Sequence, residues 1–196
     1  LFFIALDAPQ ATDDSYKINE NDDLTTVAGV DGLLDDIIDL TEIEQITLID
    51  ANNVLIPIDP TAGEFDLTSY LPCNLVGDQD LIDSLDFTGG ATLTVNIDGS
   101  FELITGTTFD SLADGESLDI VFAYRELVGF GFAGADVTIT ICGTNDDPII
   151  SDGPDSADID ETDAELTADG TLTVSDVDTT DLVAAAVSSL SVSGTS

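Results

Sequence analysis

Histidine, methionine and tryptophan are absent from this 196-residue chain, and Lys17 and Arg125 are its only cations against 41 Asp and Glu, a formal net charge of −39. Without histidine neither a Ser–His–Asp nor a Cys–His catalytic arrangement can be assembled, and the commonest ligand of transition metals is missing. So few cations exclude electrostatic docking onto nucleic acid or an anionic membrane, because both need a basic surface to neutralise phosphate. No apolar run reaches the roughly 20 residues that span a bilayer. The run Leu1-Phe2-Phe3-Ile4-Ala5-Leu6 is too short for a span or for the core of a signal peptide, so a mature product or a window on a longer chain is expected. A phosphate-cradling loop, a nucleophile elbow, zinc-ligand spacing, an EF-hand loop and a glycine-rich nonapeptide array are all missing. Carboxylate pairs suited to acid–base work arise by chance among 41 acids, so no catalysis is expected. Aromatics are sparse, with three tyrosines, which weakens a sugar-stacking site without excluding one.

What is present contradicts a disordered acidic tail. Hydrophobic residues make up 43% of the chain and the mean hydropathy is +0.23, whereas disordered segments are poor in core formers. Compaction brings carboxylates together, and two cations cannot balance them. A hard, oxygen-seeking divalent cation, calcium, is the expected counter-charge; a salt-adapted solvation shell is the rival explanation.

The dominant period is two, the signature of half-buried strands. Val137, Ile139 and Ile141 alternate with Asp136, Thr138 and Thr140; Leu93, Val95 and Ile97 alternate with Thr92, Thr94 and Asn96. Asp98-Gly99 then marks a hairpin turn before Phe101 and Leu103. Leu118, Ile120, Phe122 and Tyr124 make another face, with Tyr124 expected in the core. Leu172/Val174 and Leu190/Val192 follow. The spacing of Leu33, Leu34, Ile37 and Ile38 suits helical turns, as does the stretch from Leu182 to Val187. Short strands at these intervals predict an all-β fold, an antiparallel β-sandwich. Cys73 and Cys142 leave two alternatives open: one disulfide, or two separate thiols.

Two segments share an order of parts: an acidic opening, an isolated Glu, then a Gly-led strand ending in more Asp. One is Asp13 to Glu20 followed by Gly29 to Leu33; the other is Asp158 to Glu161 followed by Gly170 to Asp178. Each follows an Asp and Pro corner, Asp7-Ala8-Pro9 or Asp146-Asp147-Pro148. Leu112-Ala113-Asp114-Gly115-Glu116, then Phe122-Ala123-Tyr124, then Gly143-Thr144-Asn145-Asp146-Asp147-Pro148 resemble the closing half of a VCBS or bacterial cadherin-like repeat. Asp147 stands where that family usually carries Ala. Gly170 to Asp181 resembles the opening of a further repeat, and so do residues 8–36. The resemblance implies Ig-like, cadherin-like sandwich modules in tandem. These are expected as a terminal strand at 1–7, a module at 8–147 and the opening half of a second module at 148–196. Residues 41–90 depart from the pattern and are expected to hold an insertion, since an Ig-like sandwich usually needs only about 100 residues. The family implies an extracellular setting at a bacterial cell surface, in adhesins or fibres stiffened by calcium.

Calcium takes six to eight oxygens, mostly from clustered carboxylates and carbonyls. A module junction draws these from the exit of one module and the opening loops of the next. The candidates at the internal junction are Asn145, Asp146, Asp147, Glu161, Asp176, Asp178 and Asp181. At the upstream end they are Asp7, Asp13, Asp14, Glu20, Asp35, Asp36 and Asp39. Each is equally at home as a solvated turn residue.

The expected partners are neighbouring identical modules or subunits, with surface glycans as a further class. Leu1–Leu6 reads as a last strand without its module, and 148–196 as a module without its last strand. Strand addition between subunits would join them into a filament; a window on a long tandem chain accounts for the same facts. The alternative function is a carbohydrate-binding module, which would need a concave aromatic or polar patch.

Overall fold

Alternating apolar and polar side chains build two sheets that share one core. The computed structural model describes residues 11–28, 30–34, 42–49, 54–128, 131–150, 160, 163, 165, 167, 170–186 and 189. In chain order these form β1 (Asp14–Asn19), β2 (Leu24–Thr25), β3 (Ile43–Ile49), β4 (Leu55–Ile58), β5 (Glu64–Asp66) and a 3-10 helix (Thr68–Cys73). There follow β6 (Leu75–Val76), α1 (Gln79–Ser84), β7 (Thr92–Asn96), β8 (Phe101–Ile104), β9 (Ser117–Val128), β10 (Gly131–Cys142), β11 (Ile149–Ile150) and β12 (Val174–Ser175). One sheet runs β1-β10-β9-β3-β4, with β6 also paired to β9, and the second runs β2-β8-β7-β5. Among the described residues, strands β11 and β12 pair only with each other.

The first sheet sends Ile46, Leu48, Leu118, Ile120, Phe122, Tyr124, Val137, Ile139 and Ile141 inward. The second contributes Phe65, Leu93, Val95, Phe101 and Leu103, and all of these join a single buried cluster. The chain is therefore all-β and β-sandwich-like. Each of the larger side chains contributes about 1.5–3 kcal/mol on leaving water. Among the described residues no helix is long and apolar enough to cross a membrane.

Four features bear on the expectations. The antiparallel rule fails at one pair: β1 lies parallel to β10, from Asp14 opposite Val137 to Asn19 opposite Cys142. A parallel pair needs a long crossover, and here nearly the whole sandwich lies between the two strands. Second, within the stretch 41–90 read as an insertion, β3, β4 and β6 join one sheet and β5 the other, and Ile43, Leu67 and Leu71 enter the core. Third, Leu33 and Leu34 are buried in a turn, not a helix. Their backbone is anchored by Leu33 N–H donating to Gly99 O at 2.8 Å and by the Tyr124 hydroxyl donating to Leu33 O. Ile37 and Ile38 lie outside the described residues. Fourth, residues 182–186 form no helix, and Leu182 is almost fully exposed.

The Asp98-Gly99 hairpin forms as the residues dictate. Gly99 sits at φ +84, Gly99 N–H donates to Asn96 O at 3.0 Å and Asn96 N–H donates to Ser100 O at 2.8 Å, a three-residue loop closed by a left-handed glycine. The two cysteines are separate, half-buried thiols. Cys142 lies opposite Ser117 on one side of β9, while Cys73 precedes β6, whose Leu75 lies opposite Ile120 on the other side. Two strand spacings of about 4.8 Å each already exceed the roughly 7 Å that a disulfide tolerates between Cα atoms.

Candidate metal centre

The parallel β1–β10 register decides what meets at one end of the sandwich. Because Asn19 pairs with Cys142, Glu20 leaves β1 directly beside Gly143 and Thr144 as they leave β10. Glu20 N–H donates to Cys142 O at 2.9 Å. The Glu20 Oε1 atom accepts from Thr144 N–H at 2.9 Å and from the Thr144 hydroxyl at 2.7 Å. A second loop closes against this exit. Gly143 N–H donates to Glu116 O at 3.0 Å, and a Cβ on Gly143 would stand 2.3 Å from the carbonyl oxygens of both Leu112 and Ala113. Only glycine lets the two backbones approach so closely.

That second loop is the Leu112–Glu116 turn. Leu112 and Ala113 are buried, and Gly115 takes a left-handed φ of +91. Glu116 N–H donates to Ala113 O at 3.0 Å, and Glu116 Oε2 accepts from Ala113 N–H at 3.0 Å. Asp110 belongs to the same loop, held between the buried Phe109 and Leu112. A third segment, just past β12, docks on both. Asp146 N–H donates to Asp178 Oδ2 at 2.8 Å, Thr179 N–H reaches Ser111 O at 3.4 Å, and the Thr180 hydroxyl donates to Glu116 Oε1 at 2.8 Å.

Four acids are thereby gathered from four places in the chain: Glu20, Asp110, Asp146 and Asp178. Glu20 is 0% exposed and Asp178 2% exposed. Three of their oxygens are buried and accept no hydrogen bond: Glu20 Oε2, Asp110 Oδ1 and Asp178 Oδ1. Burial raises the pKa of Glu20, with hydrogen bonds from Thr144 opposing it and the charges of Asp146 and Asp178 adding to it. Burial also raises Asp178. The bond from Asp146 N–H opposes that shift, and the negative charges of Asp146, Asp181 and Asp176 reinforce it. Asp110 is raised by burial and by Asp146. Unpaired buried carboxylates are costly, and each neighbour of the same sign makes them costlier. A cleft of about 390 Å³ opens beside them, lined by Asp110, Asp146, Asp147 and Asp176 together with Ile149 and Ser175.

The donor set suits a hard divalent cation: all oxygen, mostly anionic, drawn from several loops. Thiol and imidazole are absent from it. Among the described residues no three or more acidic or thiol groups are already drawn to metal-ligand spacing.

The other candidates stand around these four acids or away from them. Asn145 and Asp147 are exposed at the exit of β10, where Asn145 Nδ2 donates to Asp146 O at 2.8 Å. Asp176 Oδ1 accepts from Asp178 N–H at 3.2 Å, and Asp181 N–H donates to Asp178 O at 3.1 Å, so both brace the Asp178 loop. Asp13 Oδ1 accepts from Asp136 N–H at 3.0 Å. Asp13 and Asp14 therefore stand at the opposite end of β1 from Glu20, about 20 Å away for a strand of this length. Glu20, grouped with them from sequence, meets Asp146 and Asp178 instead. Asp7, Asp35, Asp36, Asp39 and Glu161 lie outside the described residues. Asp110 was not a sequence candidate; its only local sign is an acid set between core residues in a loop.

No family model matches the chain, and neither a curated protein nor a solved structure does.

Proposed function

We propose that this chain is an extracellular structural module of a bacterial surface adhesin or filament, Ig-like or cadherin-like in fold, that binds calcium where one module passes into the next. It performs no catalysis. The observation that carries this reading is the meeting of Glu20, Asp110, Asp146 and Asp178 with three buried carboxylate oxygens that lack a donor. Such oxygens are tolerable in a packed protein when a cation serves them. The resemblance of residues 112–148 and 170–181 to tandem repeats supports the same assignment.

Within this reading, Glu20 Oε2, Asp110 Oδ1, Asp178 Oδ1 and the Asp146 carboxylate hold the ion, and backbone carbonyls or water complete its shell. The ion supplies counter-charge and ties four segments together: the end of β1, the loop that carries Asp110, the exit of β10 and the loop after β12. A segment fixed to the sandwich at that point gives a tandem chain a set angle between modules. Neighbouring modules or identical subunits are then the natural partners.

Removal of divalent cations tests the reading. Chelation with EDTA is expected to lower the thermal midpoint and increase the hydrodynamic radius, with both restored by calcium. Unchanged values in both would contradict it.

A further inference from the structure

At the far end of β9 from the acidic centre, roughly 26 Å along the strand from Ser117 to Arg125, lies a cleft of about 480 Å³. The β3–β9 ladder brings Gln45 opposite Arg125, and its register slips between Ile43 and Gln45. Such a bulge turns side chains out of the regular pleat and often borders a binding site. Around the cleft stand Arg125 and Gln45 with the carboxylates of Glu42, Glu44 and Asp59, while Pro60 and Ile97 supply apolar surface.

Gln45 Nε2 donates to Asp59 Oδ1 at 3.3 Å, and the Arg125 guanidinium lies over the Phe132 ring, 4.7 Å from its centroid. Stacking covers one face of the guanidinium and leaves its N–H edge free to donate. Arg125 is one of two cations in the chain, and it forms no ion pair with another described residue despite three acids around the same cleft. Donors beside acceptors, over a small apolar floor, match a molecule whose groups each donate and accept.

We propose that this cleft binds a neutral sugar unit of a glycan. Adjacent hydroxyls present both hydrogen and lone pairs, so one can accept from Arg125 or Gln45 while its neighbour donates to Asp59, Glu42 or Glu44. The C–H face of the ring rests on Pro60 and Ile97. An acidic sugar is repelled by the three carboxylates and by the whole chain's negative field. An amine-bearing sugar would pair with the carboxylates alone, whereas a neutral ring uses the donors of Arg125 and Gln45 and the acceptors together. The proposal rests on this cleft alone, independently of the cation centre.

The whole chain, in calcium-containing buffer, is to be screened on an array of neutral, acidic and amino-sugar glycans, and the best neutral ligand then titrated by NMR. Retention of neutral glycans is expected. Arg125→Gln and Gln45→Ala should each weaken binding by about tenfold or more, the loss of one hydrogen bond involving a charged or buried partner, with the thermal midpoint unchanged. Asp178→Asn should leave glycan binding intact. Retention of no glycan, retention of amino-sugar glycans only, or neutral binding indifferent to Arg125→Gln would each overturn the proposal.

Discussion

The backbone N–H of Asp146 donates to the Asp178 carboxylate at 2.8 Å, joining residues 32 positions apart. Asp146 leaves the sandwich after β10, and Asp178 follows β12. This one contact ties the exit of the sandwich to the segment beyond it. It also leaves Asp178 with a second oxygen that is buried and without a donor. If a cation binds as proposed, the carboxylate should have opposite effects on stability with and without it.

The variant Asp178→Asn separates the two effects. Without divalent cations, removing a buried charge from beside Asp146, Asp176 and Asp181 should stabilise the chain, by about 1 kcal/mol. With calcium, the same change should reduce the calcium-induced rise in stability and weaken calcium affinity by about tenfold or more, since one anionic ligand is lost. Thermal unfolding in EDTA and in calcium, read side by side, checks the change of sign.

Acid should act in the same divided way. Glu20, Asp110 and Asp178 have pKa values raised in the folded state, so the fold binds more protons than the unfolded chain from about pH 4 upward. Stability then falls as pH rises through that window, because the unfolded state binds fewer protons. In EDTA the thermal midpoint should drop between about pH 4 and neutrality. In calcium the stabilisation conferred by the ion should grow over the same interval, as the ligands lose protons and become available. A calorimetric series at constant ionic strength distinguishes the two trends.

Gly143→Ala should destabilise the chain by about 2–3 kcal/mol, since the new methyl group would meet two carbonyl oxygens that have no room to retreat. The calcium response should shrink with it, because Thr144 and Asp146 are positioned by the same close approach. Urea unfolding with and without calcium measures both. The conservative control is Gly115→Ala: its Cβ would meet nothing within 4 Å, so the cost comes from its φ of +91 alone, and is expected to be about 1 kcal/mol.

The strands were the most legible feature. Val137, Ile139 and Ile141 alternate strictly with polar residues and are all buried, because a strand's period of two needs no distant information. Tyr124 follows the same rule and is buried as its alternation requires. The Leu33–Leu34 pair misled because burial in a turn and burial on a helix face give the same short apolar spacing. What decides the case is the hairpin at Gly99, which lies far away in sequence.

The candidate centre was legible only in part, and for a similar reason. Asp146, Asp176, Asp178 and Asp181 stand in recognisable acidic corners. Glu20 reaches them through a parallel pairing of β1 with β10, and nothing near Glu20 specifies that register. Asp110 is brought in by the Leu112–Glu116 turn packing on Gly143. Both contributions depend on long-range pairing, which local composition does not encode.

Crystallography with calcium-specific anomalous scattering, on the whole chain in calcium-replete buffer, bears most directly on the cation. A peak is expected within about 2.3–2.6 Å of Glu20 Oε2, Asp110 Oδ1 and Asp178 Oδ1, the normal range for calcium–oxygen bonds. Density showing those three oxygens bonded only to water, with no anomalous peak between them, would contradict the account.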